Sequence, residues 1–389
     1  MFMYFPNNYM WSAGLLRILH AGGVIGEVDQ SGRKLRPASE RGDNEDWYRE
    51  WLALAEKVHR RARRELDDRH PRSARAGLIR ASLYYQWSAA FLPPTDERKH
   101  AAHRQSVEAF QRACELFEPP IERLEVPYEG SSFPACFVPA RSRTDSPTPC
   151  VLYLPGLDST KEQGLGLALE LAERGIASLL ADPPGVGEAL FFRGLTARHD
   201  YEVPCTAALE LLQQRPELDP QRIAVCGVSL GGYYAPRAAA MEPRFAACVA
   251  WGAIWDYHEV WSRRRHVSVD SPMPSPQFQI MMVTGQPTFD EALRELEKWR
   301  LHGVAEKITC PFLILHGEHD RQVFVSDAYK LCEAASSEQK ELKIFTEQEG
   351  GSAHCQNDNR VLAINYIADW LEDVLVHGRK RSGVHVGER

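Results

Sequence analysis

The chain has 389 residues, of which 44% are hydrophobic and 25% are charged, so its length favours one large and one smaller globular domain with full cores. The net charge of −7 at pH 7 argues against a partner held mainly by phosphate contacts, and we expect no nucleic-acid binding. Nine cysteines without a C-x-x-C pair are typical of a reduced, cytoplasmic protein rather than a disulfide-stabilised one.

The N-terminal segment Met1–Gly26 lacks a basic stretch followed by a long apolar one, so we expect no signal peptide. No apolar run of about 18 residues is present to cross a membrane, and we expect no membrane contact. The segment is amphipathic, and a homodimer in which it packs on a partner subunit stays open.

Residues from Asp43 to about Phe117 repeat apolar side chains every three or four positions, a spacing that predicts three amphipathic helices. The second helix is stopped by Pro93 and Pro94, and the third by Pro119. We therefore predict an N-terminal helical, cap-like domain over residues 1–120, whose aromatic side chains mostly pack its core.

After Pro120 the pattern changes to strands. Two strands joined by a Gly-Ser turn and a polar linker, "RSRTDSPTP", precede strands that alternate with helices up to about Leu375. This alternation predicts a mostly parallel sheet covered on both faces. We assign residues 121–376 to this domain and 377–389 to a C-terminal tail, and we interpret residues 254–299 as a cap insertion because long insertions often act as lids.

The stretch "RIAVCGVSLGGYYAPRAAA" places Ser229 between glycines, after an apolar strand and before a helix. A sharp strand-to-helix turn holds its central residue in a strained backbone conformation and lifts the hydroxyl clear of the sheet edge. Ser229 is thus a candidate nucleophile. Pro236 lies inside the following helix, where we expect a kink or a late start.

A serine nucleophile needs a base, and the base needs an acid that orients it. Asp320 follows the apolar run "FLILHG", and His354 lies in the Gly-rich loop "EGGSAHCQND". The chain order Ser, Asp, His is the one expected for a nucleophile on this kind of turn.

Other residues compete with this assignment. Glu318 and Asp256 are alternative acids, and His316 and His319 lie in the acid turn itself. The run His316-x-x-His319-Asp320 could also be a metal cluster, but a tight turn does not easily bring these ligands together. We expect no metal and no cofactor.

A tetrahedral intermediate needs backbone donors for its oxyanion. We predict these to be the N–H of Leu230, at the start of the helix, and the N–H of Leu157, in the loop after "CVLYLPG". That loop runs into Ser159-x-x-Glu162, which is typical of a capping box.

Candidate substrate-binding residues lie mainly in "WGAIWDYHEVWSRRRH". Aromatic walls with few polar groups suit a flat, partly polar ring system, although the same aromatics could only pack the cap. The candidates are Trp255, Asp256, His258 and Glu259, together with Glu188 of the turn "DPPGVGE" and Tyr233 of the helix after the nucleophile. We do not read "DPPGVGE" as a phosphate loop, because no Lys-Ser/Thr follows its glycines.

With these residues assembled, the chain resembles the α/β-hydrolase fold from about Ile121 to Leu375. The stretches "WYREWLALAEKV", "SARAGLIRASLYYQWS", "LPGLDSTKE", "DPPGVGE" and "GVSLGGYYAPRAAA" narrow the resemblance to the group with an N-terminal helical domain. That group includes the 2,6-dihydroxypseudooxynicotine hydrolase, the fungal polyketide chain-shortening hydrolases of pigment synthesis and the FrsA-like proteins. The resemblance implies that cleavage of a carbon–carbon bond next to a ketone is possible here.

Three functions stay open at this point. The first is a serine hydrolase that cleaves a C–C (retro-Claisen) or ester bond next to a carbonyl in an aromatic or polyketide-like small molecule. The second is a general carboxylesterase or acyltransferase. The third is a non-catalytic binding protein with a hydrolase fold, which the presence of Ser229, Asp320 and His354 disfavours.

Overall fold

A computed structural model of the chain describes residues 2–40, 44–141, 147–265 and 277–387. Most of the predicted polar linker, the middle of the predicted insertion and the end of the predicted tail lie outside these ranges. The described residues form two compact units, one of residues 2–123 with 277 and 278, and the other of the remaining residues. The division between Arg123 and Leu124 is close to the predicted boundary at residue 120.

The first unit consists of helices, of which the described residues contain α1 (Tyr9–His20), α2 (Ile25–Ser39), α3 (Asn44–Asp67), α4 (Pro71–Ser88) and α5 (Glu97–Cys114). The three helices predicted from apolar spacing are α3, α4 and α5. Their ends follow local rules, since Pro71 occupies the first turn of α4 and the Asp96 carboxylate accepts the N–H of Arg98 at the start of α5.

Helices α1 and α2 were not predicted. Trp11, Leu15 and Ile18 of α1 are buried in the same core as Trp47 and Trp51 of α3. These side chains of α1 are therefore covered within their own unit, whereas Phe2, Val24 and Ile25 of the N-terminal segment are exposed, and the homodimer stays a prediction.

The second unit is built on a sheet whose described strands are β1 (Glu122–Tyr128), β2 (Ser131–Val138), β3 (Thr148–Leu154), β4 (Ala177–Ala181), β5 (Leu218–Val228), β6 (Ala247–Trp251), β7 (Phe312–Gly317), β8 (Lys340–Phe345) and β9 (Gly383–Val386). Their order is β1-β2-β4-β3-β5-β6-β7-β8-β9. β2 pairs with β4 in the antiparallel sense, and the pairs from β4 through β9 are parallel. The predicted mostly parallel sheet is confirmed.

The helices described in this part of the chain are α6 (Leu165–Glu173), α7 (Gly187–Arg193), α8 (Glu202–Gln213), α9 (Gly231–Met241), α10 (Tyr257–Ser262), α11 (Gln277–Thr284), α12 (Phe289–Leu296), α13 (Val325–Ala334) and α14 (Arg360–Leu371). All five residues of β6 are buried, as expected for a strand covered on both faces. None of the described helices combines the length and the apolar character needed to cross a membrane.

Two local expectations need correction. The predicted C-terminal tail contains β9, which extends the sheet beside β8 and is held by ion pairs from Arg381 to Glu341 and Asp373. Helix α9 does not start late, because it begins at Gly231 with Pro236 inside it. Proline has no N–H to donate, and the carbonyl of Gly232 instead accepts the N–H of Ile254 at 3.4 Å.

Candidate active site

Ser229 lies in the turn between β5 and α9 with a φ of +57°, the left-handed region that a non-glycine residue rarely adopts. The flanking glycines are required by close approaches. A Cβ on Gly227 would lie 2.0 Å from the carbonyl oxygen of Gly231, and one on Gly231 would lie 2.5 Å from that of Leu154. The turn therefore needs small residues on both sides of the serine.

The structure brings Ser229, His354 and Asp320 together. Ser229 Oγ lies 2.8 Å from His354 Nε2, and His354 Nδ1 lies 2.7 Å from Asp320 Oδ2. The other oxygen of Asp320 accepts the N–H groups of Gln322 and Val323 at 2.7 and 3.0 Å. A carboxylate that accepts on both oxygens is held in one orientation, and it holds the imidazole of His354 in turn.

His316 contacts the carboxylate of Asp320, and this contact was not predicted from the sequence. His316 Nε2 lies 2.9 Å from the carbonyl oxygen of Val323 and 3.3 Å from Asp320 Oδ2. Both partners are acceptors, so Nε2 carries the proton and donates to them. The rival residues Glu318 and His319 are exposed, and their ion pairs run to each other and to Glu347 rather than to Ser229.

The electrostatics of the pair formed by Asp320 and His354 favour the carboxylate and the imidazolium. Burial by itself raises the pKa of Asp320, but His354 and His316 outweigh it, and the pKa is well below its usual value. Burial by itself lowers the pKa of His354, but the Asp320 carboxylate outweighs it, and the pKa is raised. His354 is therefore a stronger base toward the Ser229 hydroxyl than an isolated imidazole would be.

The two candidate oxyanion donors, Leu157 and Leu230, have N–H groups that donate to no acceptor within the described ranges. Leu230 immediately precedes α9, where backbone N–H groups point out of the helix end. The loop that carries Leu157 passes beside the nucleophile, because a Cβ on Gly156 would lie 2.8 Å from the Cβ of Ser229.

The predicted capping box in this loop is wrong. Ser159 Oγ accepts the N–H of Gly156 at 2.6 Å, and the short 3₁₀ turn Lys161–Gly164 has Thr160 as its cap, without a side-chain hydrogen bond. The serine thus closes the loop on itself instead of starting a helix.

Glu188, a candidate substrate-binding residue, lies in a buried ionic cluster. Its carboxylate lies 2.6 Å from Lys161 Nζ, which also contacts Glu162 and Asp182. Oxygens of these three acidic residues lie close enough together to bind a metal ion, but the ammonium group of Lys161 already contacts all three. The spacing of these residues along the sequence does not predict that Lys161 contacts Asp182 and Glu188.

The two aromatic candidates for substrate binding differ in how deeply they are buried. Tyr233 is fully buried; its hydroxyl donates to the carbonyl of His199 at 2.8 Å, and its ring stacks on Trp299. Trp255 is half-buried, with its ring edge against His302. The structure thus assigns Tyr233 to the core, whereas Trp255 keeps a partly accessible surface.

The polar candidates of the cap contact one another and their neighbours. Asp256 Oδ1 accepts the N–H of Glu259 at the start of α10, and its other oxygen pairs with Arg300 at 3.0 Å. His258 contacts Ser262 and Arg300. Glu259 forms ion pairs with Arg263 and Lys330. Among the described residues, no hydrogen bond joins Asp256, His258 or Glu259 to Ser229, His354 or Asp320.

The cap of α10 leads to a stability prediction. Asp256→Ala is expected to lower the free energy of unfolding by about 1 kcal/mol, because the N–H of Glu259 loses its acceptor. Asp256→Asn, which keeps a side-chain acceptor, is the matched control, and its free energy of unfolding is expected to fall by only about a few tenths of a kcal/mol. Denaturant unfolding measures both, and equal losses in the two variants would assign the effect to the ion pair with Arg300 instead.

Comparison with known protein families gives a match over most of the chain. The model of the FrsA-like family, whose description is "Esterase FrsA-like", matches residues 40–376. The match therefore includes the turn around Ser229 and the segments that carry Asp320 and His354.

Individual relatives and a solved structure match at similar extent. The chain is 33% identical to the 2,6-dihydropseudooxynicotine hydrolase of Paenarthrobacter nicotinovorans, over 86% of each chain. It is 30% identical to the 20-hydroxy-prefusarin hydrolase FUS2 of Gibberella moniliformis, over 90% of this chain and 92% of the relative. The crystal structure of the 2,6-dihydroxy-pseudo-oxynicotine hydrolase superposes with a TM-score of 0.82 at 29% identity, covering 96% of this chain and 99% of the other. The structural similarity thus extends over residues of both units.

Proposed function

On the premise that the chain belongs to the FrsA-like family and is an α/β-hydrolase, we propose that it is a serine hydrolase of a small aromatic or polyketide-like molecule. The bond cleaved is a C–C or ester bond next to a carbonyl. The single observation that carries this proposal is the unbroken hydrogen-bond chain from Ser229 Oγ through His354 to Asp320. A hydroxyl, an imidazole and a buried carboxylate in this order are the groups that serine acyl transfer requires.

In the first half of the reaction, Ser229 Oγ attacks the carbonyl carbon while His354 Nε2 accepts its proton. Asp320 stabilises the imidazolium that forms and keeps Nδ1 protonated. The oxygen of the former carbonyl becomes negatively charged, and the N–H groups of Leu230 and Leu157 donate to it.

Collapse of the tetrahedral intermediate breaks the bond to the leaving group, which takes the bonding electron pair. For an ester the leaving group is an alkoxide; for a β-diketone it is an enolate, and in both cases the His354 imidazolium supplies the proton. Water, deprotonated by His354, then attacks the acyl-enzyme. The bond from the carbonyl carbon to Ser229 Oγ breaks, the His354 imidazolium returns the proton to that oxygen, and a carboxylic acid is released. Every step uses protein groups and water.

The substrate class rests on the resemblance and on the relatives. The group that the chain resembles includes enzymes that break C–C bonds next to a ketone, and two relatives are named as hydrolases of 2,6-dihydropseudooxynicotine and 20-hydroxy-prefusarin. The family description as an esterase supports the ester alternative. Trp255 is half-buried, and we propose that its exposed surface is an apolar wall for a flat ring of the substrate.

The test offers the purified protein a set of aryl β-diketones and, separately, nitrophenyl esters of short acids, and a fluorophosphonate probe reports covalent reaction at Ser229. We expect probe labelling and hydrolysis of at least one aryl β-diketone to a carboxylic acid and a ketone. Hydrolysis of simple esters alone would leave a general carboxylesterase, transfer to an added alcohol would indicate an acyltransferase, and no labelling with no turnover would contradict a serine hydrolase.

A further inference from the structure

Lys161 is a buried cation beside the loop that carries Leu157. Its side chain is only 1% exposed, and Nζ lies 2.6 Å from Glu162 Oε1, 2.9 Å from Asp182 Oδ2 and 2.6 Å from Glu188 Oε1. Burying an ammonium group is costly unless charged partners surround it closely. Three carboxylates around one ammonium make the fold of this region depend on Lys161.

The cluster lies where two neighbouring strands end. β3 ends at Leu154 and pairs in parallel with β4, which ends at Ala181 and is followed directly by Asp182. Asp182 Oδ1 accepts the backbone N–H of Lys161 at 2.8 Å, while Oδ2 contacts its ammonium. The loop from residue 155 to residue 160 is therefore fixed by the sheet at one end and by Asp182 at the other.

Asp182 is itself fixed by backbone contacts. Its N–H donates to the carbonyl of Pro134 on β2 at 3.0 Å, and its Oδ2 accepts the N–H of Glu188 at 3.1 Å. Gly187 has a φ of +43°, and a Cβ there would lie 2.1 Å from Asp182 Oδ2. The turn "DPPGVGE" is thus shaped to bring backbone and carboxylate together around Lys161.

The charges make this arrangement interdependent. Burial raises the pKa of Asp182 to about 6, although the Lys161 ammonium acts in the opposite direction. Burial by itself lowers the pKa of Lys161, but Asp182, Glu162 and Glu188 outweigh it and hold the pKa well above its usual value. Removal of the ammonium leaves carboxylates facing one another without a cation, and the turns that carry them are expected to move apart.

We propose that Lys161 is a positioning residue of the oxyanion hole: its ammonium, through Asp182 and Glu188, fixes the loop of residues 155–160 so that the N–H of Leu157 stays beside Ser229. The proposal rests on the proposed function, since it concerns the same site. An oxyanion donor is effective only within about 2.7–3.1 Å of the developing charge, so a small displacement of the loop is enough to lose it.

The test compares Lys161→Met with Arg381→Met, a matched control that removes a cation from the buried Glu341 on the β8–β9 side of the sheet. Lys161→Met is expected to lower kcat about 100-fold with KM changed less than about threefold, because one oxyanion donor contributes on the order of 10²–10³ in kcat. Arg381→Met is expected to lower the melting temperature and leave kcat within about threefold.

A second readout separates positioning from general loss of structure. Aryl trifluoromethyl ketones form a tetrahedral adduct with a serine and place an oxyanion in the hole, so their affinity should fall about 100-fold in Lys161→Met. If Lys161→Met does not fold, Asp182→Asn, which keeps the side-chain volume, is measured in its place, with the same direction of change expected.

Three results would overturn the proposal: a folded Lys161→Met with kcat within threefold of wild type, a lowered kcat with unchanged affinity for the ketone, or an Asp182→Asn variant without effect when Lys161→Met does not fold. Failure of the proposed function looks different. In that case the wild-type protein itself neither reacts with the fluorophosphonate nor binds the ketone.

Discussion

Ser229→Ala is expected to abolish fluorophosphonate labelling and to lower kcat by at least about 10³-fold, while the melting temperature stays close to that of wild type. The variant removes the oxygen that attacks the carbonyl in the proposed mechanism, and it removes the hydrogen bond to His354 Nε2. The residual rate then comes from the oxyanion donors and substrate binding alone. Steady-state kinetics on the best β-diketone or ester measures the loss.

Ser337→Ala is the matched control for this change. Ser337 is a serine of the same sheet unit, but it is buried and its Oγ accepts the N–H of Gln339 instead of contacting His354. We expect unchanged labelling and turnover in this variant. Normal turnover in Ser229→Ala would show that water, activated elsewhere, attacks the substrate, and the nucleophile would have to be reassigned.

Asp320→Asn is expected to lower kcat by about 10⁴-fold, because an amide cannot both hold Nδ1–H of His354 and stabilise the imidazolium. The change also affects the pH profile. In the proposed mechanism His354 must be neutral to accept the serine proton, so kcat/KM of the wild type is expected to rise as pH increases through the raised pKa of His354. Loss of the carboxylate charge lowers that pKa, and the residual activity of the variant should rise at lower pH than in wild type.

Glu318→Gln is the control, since Glu318 lies in the same turn but is exposed. We expect it to keep near-normal turnover and an unshifted profile. Near-normal turnover in Asp320→Asn, together with a loss in Glu318→Gln, would reassign the acid.

Much of the fold follows from local sequence signals. The apolar runs that form β3, β5, β6 and β7 are bounded by Gly or Pro, and their alternation with helices predicts a parallel sheet. That sheet is confirmed, as is the resemblance to the FrsA-like group. Helix α1 was not predicted because its amphipathic pattern is short and lies outside the long periodic stretch. Strand β9 was not predicted because it has only four residues and follows a run of basic side chains, as a C-terminal tail often does.

The candidate triad could be chosen from sequence because parallel strands end at one edge of the sheet, so residues just past β5, β7 and β8 meet there. Their catalytic roles stay predictions. The substrate-binding residues were harder to choose, since a polar side chain in a cap can serve a helix end, as Asp256 does, as readily as a ligand.

By itself, therefore, the sequence determined the strands β1 to β8, the glycines around Ser229 and the chain order of the candidate nucleophile, acid and base. Each of these depends on neighbouring residues or on strand ends. Only the tertiary structure decided that His316 supports Asp320, that Glu188 faces a lysine and that Lys161 joins two turns 21 residues apart. Burial and ion pairing depend on which distant segments come within about 3 Å of each other, and no periodicity or spacing along one chain encodes those distances.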